Sequence, residues 1–150
     1  MAQSFSQVLV HGVFSTKDRA PWIDKDIEPE LFAYLATVLK SKGHTPLIVG
    51  GHEDHVHFLC GLSRIETISK MIENAKVASS KWMKTTGGGR ENFSWQRGYG
   101  AFRISYSARN SVMDYIANQE AHHSVTSFQD EFRKLLEEHG IPYDEKYVWN

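Results

Sequence analysis

The chain has 150 residues, of which 41% are hydrophobic and 12% aromatic, which is enough to bury a core and excludes a disordered chain. No apolar run approaches the roughly 20 residues that span a bilayer, and Met1 to Phe14 lacks the basic flank and apolar centre of a signal peptide. The single cysteine, Cys60, can close no internal disulfide, so a reducing, cytoplasmic setting is expected. The net charge of −1 conceals an asymmetry. From Arg64 to Arg109 nine basic side chains face three acidic ones, whereas from Asn110 onward three face eight. A basic middle and an acidic end suit a surface turned towards a polyanion, although an ordinary charge-mixed surface has the same sum.

In chain order, Ser4 to Ser15 alternates and is rich in Phe and Val, which predicts a first strand, and Lys17 to Asp26 is a polar loop. Glu28 to Lys42 places Leu31, Phe32, Leu35, Val38 and Leu39 at helical spacing, with Pro29 in the first turn and Gly43 past the end. Thr45 to Val49 is a second strand, and Gly50 to Asp54 a turn into a third, His55 to Leu62. Arg64 to Lys84 is a long amphipathic helix, and Thr85 to Arg90, with Gly87-Gly88-Gly89, a loop. Gly98 to Ser107 is a fourth strand and Ser111 to His122 a helix. Thr126 to His139 is another helix, with Thr126 and Gln129 at capping-box spacing and Gly140 as its stop.

The order β-α-β-β-α-β followed by extra helices predicts an α+β, ferredoxin-like (RRM-like) split β-α-β fold with an antiparallel sheet. One domain, 1–150, is expected, with a helix at about 111–122 and a C-terminal helix and tail at about 126–150. Such a fold covers one sheet face with its crossover helices and leaves the other free, the face on which RNA-recognition modules bind single strands.

The chemistry concentrates in His55-Val56-His57. On a strand the two imidazoles stand on one face while Val56, Phe58 and Cys60 point to the other. A bare His-x-His pair is more often a polar strand face than a metal site, so its meaning depends on what completes it. Tyr115 and Gln119, at i and i+4 on a helix, point a phenol and a carboxamide the same way. Two imidazoles and an amide oxygen leave positions open and suit Mg²⁺ or Mn²⁺. A phenol beside such a cation can attack phosphorus. The bland reading is that Tyr115 packs against Met113 and Ile116 and that Gln119 is plain surface.

The ordered set of motifs decides between them. It comprises His55-Val56-His57, the segment Trp95-Gln96 to Gly98-Tyr99-Gly100-Ala101-Phe102, and Tyr115-Ile116-x-Asn118-Gln119-x-x-His122-His123. Phe128-x-x-Glu131, His139-Gly140-Ile141 and Tyr143-Asp144-Glu145-x-Tyr147-x-Trp149 follow. Over nearly its whole length the chain resembles the single-tyrosine HUH transposases of small insertion sequences (the IS200-like family) and their relatives, the REP-associated tyrosine transposases.

The resemblance implies that His55, His57 and Gln119 bind a divalent ion and that Tyr115 is the nucleophile. Tyr115 would attack a phosphodiester of single-stranded DNA, leaving a 5′-phosphotyrosine and a free 3′-OH. A second 3′-OH would then reverse the step, with no nucleotide cofactor. It also implies hairpins at the element ends as the DNA partner, and a homodimer in which the tyrosine helix can complete the partner's site.

Within that reading Lys76, Lys81, Lys84 and Arg90 would neutralise phosphates, and Trp95 and Tyr99 would offer stacking faces to unpaired bases, with Phe102 more suited to the core. The glycine loop is a DNA-contacting flap or a plain connector, and matches no P-loop. His122 and His123 suit the end of a helix. His11, His44, His52 and His139 read as structural or surface, and Cys60 as a buried strand residue. Asp54 and Glu53 can support His55 from behind or simply shape the turn. Alternatives are a host-serving REP-associated enzyme and a non-catalytic ferredoxin-like nucleic-acid-binding module. A His-x-His-x-His phosphohydrolase fails because Leu59 stands where the third histidine would fall.

Overall fold

A computed structural model describes residues 2–150, so Met1 lies outside the described residues. Four strands, β1 (Leu9–Ser15), β2 (Thr45–His52), β3 (His55–Gly61) and β4 (Gly100–Ile104), form one antiparallel sheet in the order β2-β3-β1-β4. With α1 (Glu28–Ser41) and α2 (Ile68–Thr85) as the crossovers, this is the ferredoxin-like arrangement expected from the element order. Three further helices follow: α3 (Arg109–Ala117), the single-turn α4 (Gln119–His122) and α5 (Phe128–Glu138).

The alternation along β3 sorts its residues as the sequence implies. Val56, Phe58 and Cys60 join Val10 and Phe14 of β1 in the main core, packed with Leu31, Leu35 and Leu39 of α1 and Met71, Ile72, Ala75 and Met83 of α2. Pairing puts Gly12 opposite Phe58, and the Phe58 ring lies across the space a side chain at residue 12 would fill. The opposite face carries His11, Val13, His55, His57 and Leu59.

That second face is not free. Phe128, Phe132, Leu135 and Leu136 of α5 close over Val13 and Phe102, and Ile116 of α3 packs with Leu9 and Leu59. The expectation of an open sheet face is therefore corrected: the C-terminal helices roof it, because α5 presents an apolar stripe that must be buried. Each of its four apolar side chains contributes about 1.5–3 kcal/mol on burial.

Several boundaries move, each for a local reason. β2 runs through Gly50 and Gly51 to His52, so the turn is shorter than expected. A side chain at Gly50 would meet the Ile116 carbonyl, so this glycine serves close approach of α3 to the sheet. α2 starts at Ile68 because Thr67 caps it by accepting from the Lys70 N–H at 3.1 Å, leaving Ile65 exposed ahead of it. α5 is capped by Ser127, which accepts from the Asp130 N–H at 3.1 Å, not by Thr126. The helix expected over 111–122 starts at Arg109 and breaks at Asn118, dividing into α3 and α4. β1 and β4 are shorter than expected, at Leu9–Ser15 and Gly100–Ile104.

Candidate active site

β3 delivers His55 and His57 to the roofed face with no solvent exposure. Each ring is held from behind through Nδ1. His55 Nδ1 meets Asp54 Oδ1 at 2.7 Å, and His57 Nδ1 meets Nε2 of His11, from β1, at 2.8 Å. Both Nε2 atoms then point inward, the orientation that ring ligands of a metal need. Burial and then the neighbouring His57 hold His11 down at about 3. Burial likewise holds His57 at about 4, despite the pull of Glu131 in the other direction. His57 is therefore neutral at pH 7, as a ligand must be.

The convergence point is Glu131, on α5 and 2% exposed. His57 Nε2 lies 3.0 Å from its Oε1, and His55 Nε2 3.5 Å. Gln119 presents its amide oxygen to His55 Nε2 at 2.8 Å and donates through Nε2 to Glu131 Oε2 at 2.9 Å. The Tyr115 hydroxyl donates to the same Oε2. His123 Nε2 is 3.0 Å from both Glu131 Oε1 and Gln119 Oε1. Burial alone would raise the Glu131 pKa, but the hydrogen bonds from His123 and His57 outweigh it and keep the carboxyl ionised well below the usual range. Tyr115 moves the other way: burial, then its bond to the Glu131 carboxylate, pushes the phenol above its ordinary value. Among isolated groups a buried carboxylate costs several kcal/mol; here the converging donors and the apolar stripe of α5 offset it.

The structure thus brings Tyr115, His55, His57 and Gln119 together, and adds residues to which the sequence pattern assigns no role. Glu131 enters the sequence pattern only through Phe128-x-x-Glu131. Its signal is a carboxylate at the buried position of the stripe formed by Phe128, Phe132 and Leu135. His11, expected to be structural or surface, proves to be the partner of His57. Asp54 does stand behind His55. His44 is buried and pairs with Glu66 at 2.9 Å, away from this centre.

Two groups of side chains have metal-ligand geometry among the described residues: His55, His57 and Glu131, and His122, His123 and Glu131. The first fits a divalent cation better. Octahedral ligands at roughly 2.1 Å from an ion stand roughly 3.0 Å from their neighbours, close to the 2.8 Å of His55 Nε2 to Gln119 Oε1 and the 3.0 Å of His57 Nε2 to Glu131 Oε1. Two imidazoles, a carboxylate and a carboxamide form a mixed N/O set without thiolate, suited to Mg²⁺ or Mn²⁺.

The basic residues are less uniform than their sequence suggests. Lys76 donates to the Gln96 carbonyl at 2.8 Å and to that of Gly98, and burial lowers its pKa to about 8. Arg90 ties the glycine loop to Asp24 at 2.7 Å. Trp95 is wedged between Phe14 and Phe93 and donates to Ser79 Oγ at 3.0 Å. Lys81, Lys84 and Tyr99 remain exposed, and Phe102 is in the core.

The chain is thus a small α+β protein whose ferredoxin-like sheet offers a phenol, two imidazoles and a carboxylate at one buried point. The family model "Transposase IS200 like" matches residues 4–119, and the chain belongs to that family of DNA-cleaving enzymes. Among solved structures, it is similar to a protein of Deinococcus radiodurans assigned as a transposase, with 21% identity, a TM-score of 0.59, and coverage of 79% of this chain and 98% of that one. It is also similar to a REP-associated tyrosine transposase bound to a REP hairpin, with 12% identity, a TM-score of 0.61, and coverage of 84% and 74%. No curated protein matches the chain significantly. Among the described residues no helix is long and apolar enough to cross a membrane.

Proposed function

We propose that this transposase cuts and rejoins single-stranded DNA at element ends, with Tyr115 as the nucleophile and His55, His57, Gln119 and Glu131 as the holders of a divalent cation, Mg²⁺ or Mn²⁺. One observation carries the reading: the Tyr115 hydroxyl and the His57 imidazole meet on the two oxygens of a single buried carboxylate, Glu131.

Tyr115 Oη forms a bond to the scissile phosphorus while the bond from phosphorus to the 3′-oxygen breaks. Glu131 Oε2 holds the phenol in place through the hydrogen bond it already accepts, the phenol's proton passes to solvent in the adjoining cavity, and the departing oxygen gains one from solvent to become a 3′-OH. The downstream strand stays on the protein as a 5′-phosphotyrosine. A 3′-OH from another DNA end then attacks this phosphodiester, the bond to Tyr115 breaks, and the phenol recovers its proton. Ester for ester is exchanged throughout, so no nucleotide cofactor is needed. A divalent cation bound here polarises the phosphoryl oxygens and favours the phenolate. His11 and Asp54 fix the orientation of the two imidazoles, and α5 keeps water from the cluster.

Tyr115 reaches the cluster of its own chain, so in the homodimer proposed here each copy would keep a complete centre. Lys81 and Lys84, exposed on the surface, suit the phosphates of the strand, and Tyr99 an unpaired base. The likeness to a hairpin-bound transposase supports hairpin DNA as the partner, and the same chemistry would serve a mobile element or a host enzyme acting on chromosomal hairpins.

The test is to mix the protein with single-stranded DNA carrying the hairpins that flank its gene, plus Mn²⁺, and run a denaturing gel. A covalent adduct is expected with the wild type and none with Tyr115→Phe, which still binds DNA. An adduct that survives Tyr115→Phe would refute the assignment of nucleophile.

A further inference from the structure

Beside the metal-type cluster lies a cavity of about 410 Å³, within the range of small-molecule sites (about 300–1,000 Å³). Tyr115 and Glu131 line it, so it opens directly on the proposed reaction point. His11, which backs His57, adds to its wall, and the remaining lining has no part in the chemistry described above. Ile104 of β4, Val112 of α3 and Leu135 of α5 make an apolar lining. His139 lies on the rim, exposed, with its ring stacked on Phe102 at 4.5 Å between centroids and 23° between planes. One face of that imidazole is thus backed by an aromatic ring. His122, also in the lining, turns its Nε2 towards Glu131 Oε2 at 3.5 Å without a hydrogen bond, the only buried side-chain nitrogen or oxygen left without one among the described residues. Lys134 adds an exposed cation, held only loosely by Glu138 at 3.9 Å.

Flat apolar walls, a supported aromatic ring, an unpartnered ring nitrogen and a nearby ammonium are what a nucleotide would meet with its base, its base edge and its phosphate. We propose that this cavity is a nucleobase pocket that holds the base of the nucleotide joined to Tyr115 through its 5′-phosphate, and so selects the residue immediately 3′ of the cut. The proposal rests on Tyr115 being the nucleophile. That nucleotide is tethered to a side chain in the cavity wall, and the opposite side of the phenol is occupied by the buried cluster. His139 stacks on the base, His122 Nε2 meets a polar atom on its edge, and Ile104, Val112 and Leu135 exclude water from its flat faces. A protein with this pocket reads one base itself, whatever the rest of the DNA specifies.

The experiment uses the full chain, Mn²⁺ and a pool of single-stranded DNA with a randomised central segment. Covalent adducts are isolated under denaturing conditions and the attached strands sequenced from the phosphotyrosyl end. The expected result is an enrichment of one base class at the first nucleotide of about tenfold over the pool, or about 1.4 kcal/mol, the order of one hydrogen bond to the base edge. Two variants locate the selection: Ser111→Trp fills the cavity mouth from an exposed position on α3, and His139→Ala removes the stacking face. Both should still form adducts, with the first-nucleotide enrichment reduced below about twofold and any bias at other positions unchanged. A first nucleotide distributed as in the pool overturns the pocket, as does a bias that persists undiminished in both variants. No adduct at all from the wild type overturns the nucleophile assignment on which the pocket rests, a separate and distinguishable failure.

Discussion

Replacing Glu131 with glutamine keeps the shape of the side chain and removes its charge. In the wild type the carboxylate is the only anionic group in the buried set, with His57 Nε2 at 3.0 Å, His123 Nε2 at 3.0 Å, Gln119 Nε2 at 2.9 Å and the Tyr115 hydroxyl all directed at it. A glutamine offers one acceptor oxygen, so one pair of donors must face its NH₂. The metal-free protein is expected to lose about 3–5 kcal/mol, the usual cost of breaking a buried charged set.

The more telling quantity is how much Mn²⁺ stabilises each protein. At a hundred times its dissociation constant a ligand adds about 2.7 kcal/mol. For a chain of this length each kcal/mol moves Tm by about 2–4 °C, which gives a metal-induced rise of about 5–11 °C. If the substitution weakens binding about a hundredfold, the same Mn²⁺ concentration adds only about 0.4 kcal/mol, or about 1–2 °C. Paired thermal melts with Mn²⁺ and with EDTA measure the two shifts, each variant serving as its own reference for the broken hydrogen bonds. A full-sized Mn²⁺ shift in Glu131→Gln would refute the placement of this carboxylate among the ligands.

Other perturbations separate the remaining parts of the site. His11→Phe takes away the partner of His57 Nδ1 and should weaken Mn²⁺ binding about 10–100-fold by titration calorimetry while Tyr115 is untouched; unchanged affinity would count against a supporting role. Mixing Tyr115→Phe with His57→Ala should yield no adduct, since each chain builds its own centre; restored activity would mean that the tyrosine helix serves the partner. Lys81→Ala with Lys84→Ala should reduce the salt slope of single-strand binding by about 0.7 for each phosphate that is no longer neutralised. Lys76→Ala should instead lower Tm with little change of slope, because its ammonium is already committed to two backbone carbonyls.

Local pattern carried much of the fold into view. The period of two along β3 separates His55 and His57 from Val56 and Phe58, and the structure keeps that division. The period of the helices finds α1 and α2, with an error at the start of α2, where Ile65 extends the apolar pattern but Thr67 supplies the cap. What escaped depends on pairing between distant segments. His11 reaches His57 only because β1 aligns antiparallel to β3 in one register, and a single sequence does not announce a register. Gly50 looks like part of a turn until the Ile116 backbone of α3 is seen lying against it. Glu131 was legible in principle. A charged residue on the apolar stripe of α5 breaks the local rule for a buried helix face, and such breaks concentrate at functional sites.

Tyr115 and Glu131 line the cavity, whereas the two imidazoles behind them have no exposure. If the strand binds as proposed, the cavity serves both the cluster and the DNA, which implies an order of arrival. An ion that takes this route enters before the strand, because a nucleotide seated against Tyr115 would stand across it. The same nucleotide bars the way out, so a chelator that strips the free protein within its mixing time should act on the DNA-bound protein only as fast as the strand departs. Metal exchange becomes a clock for DNA release.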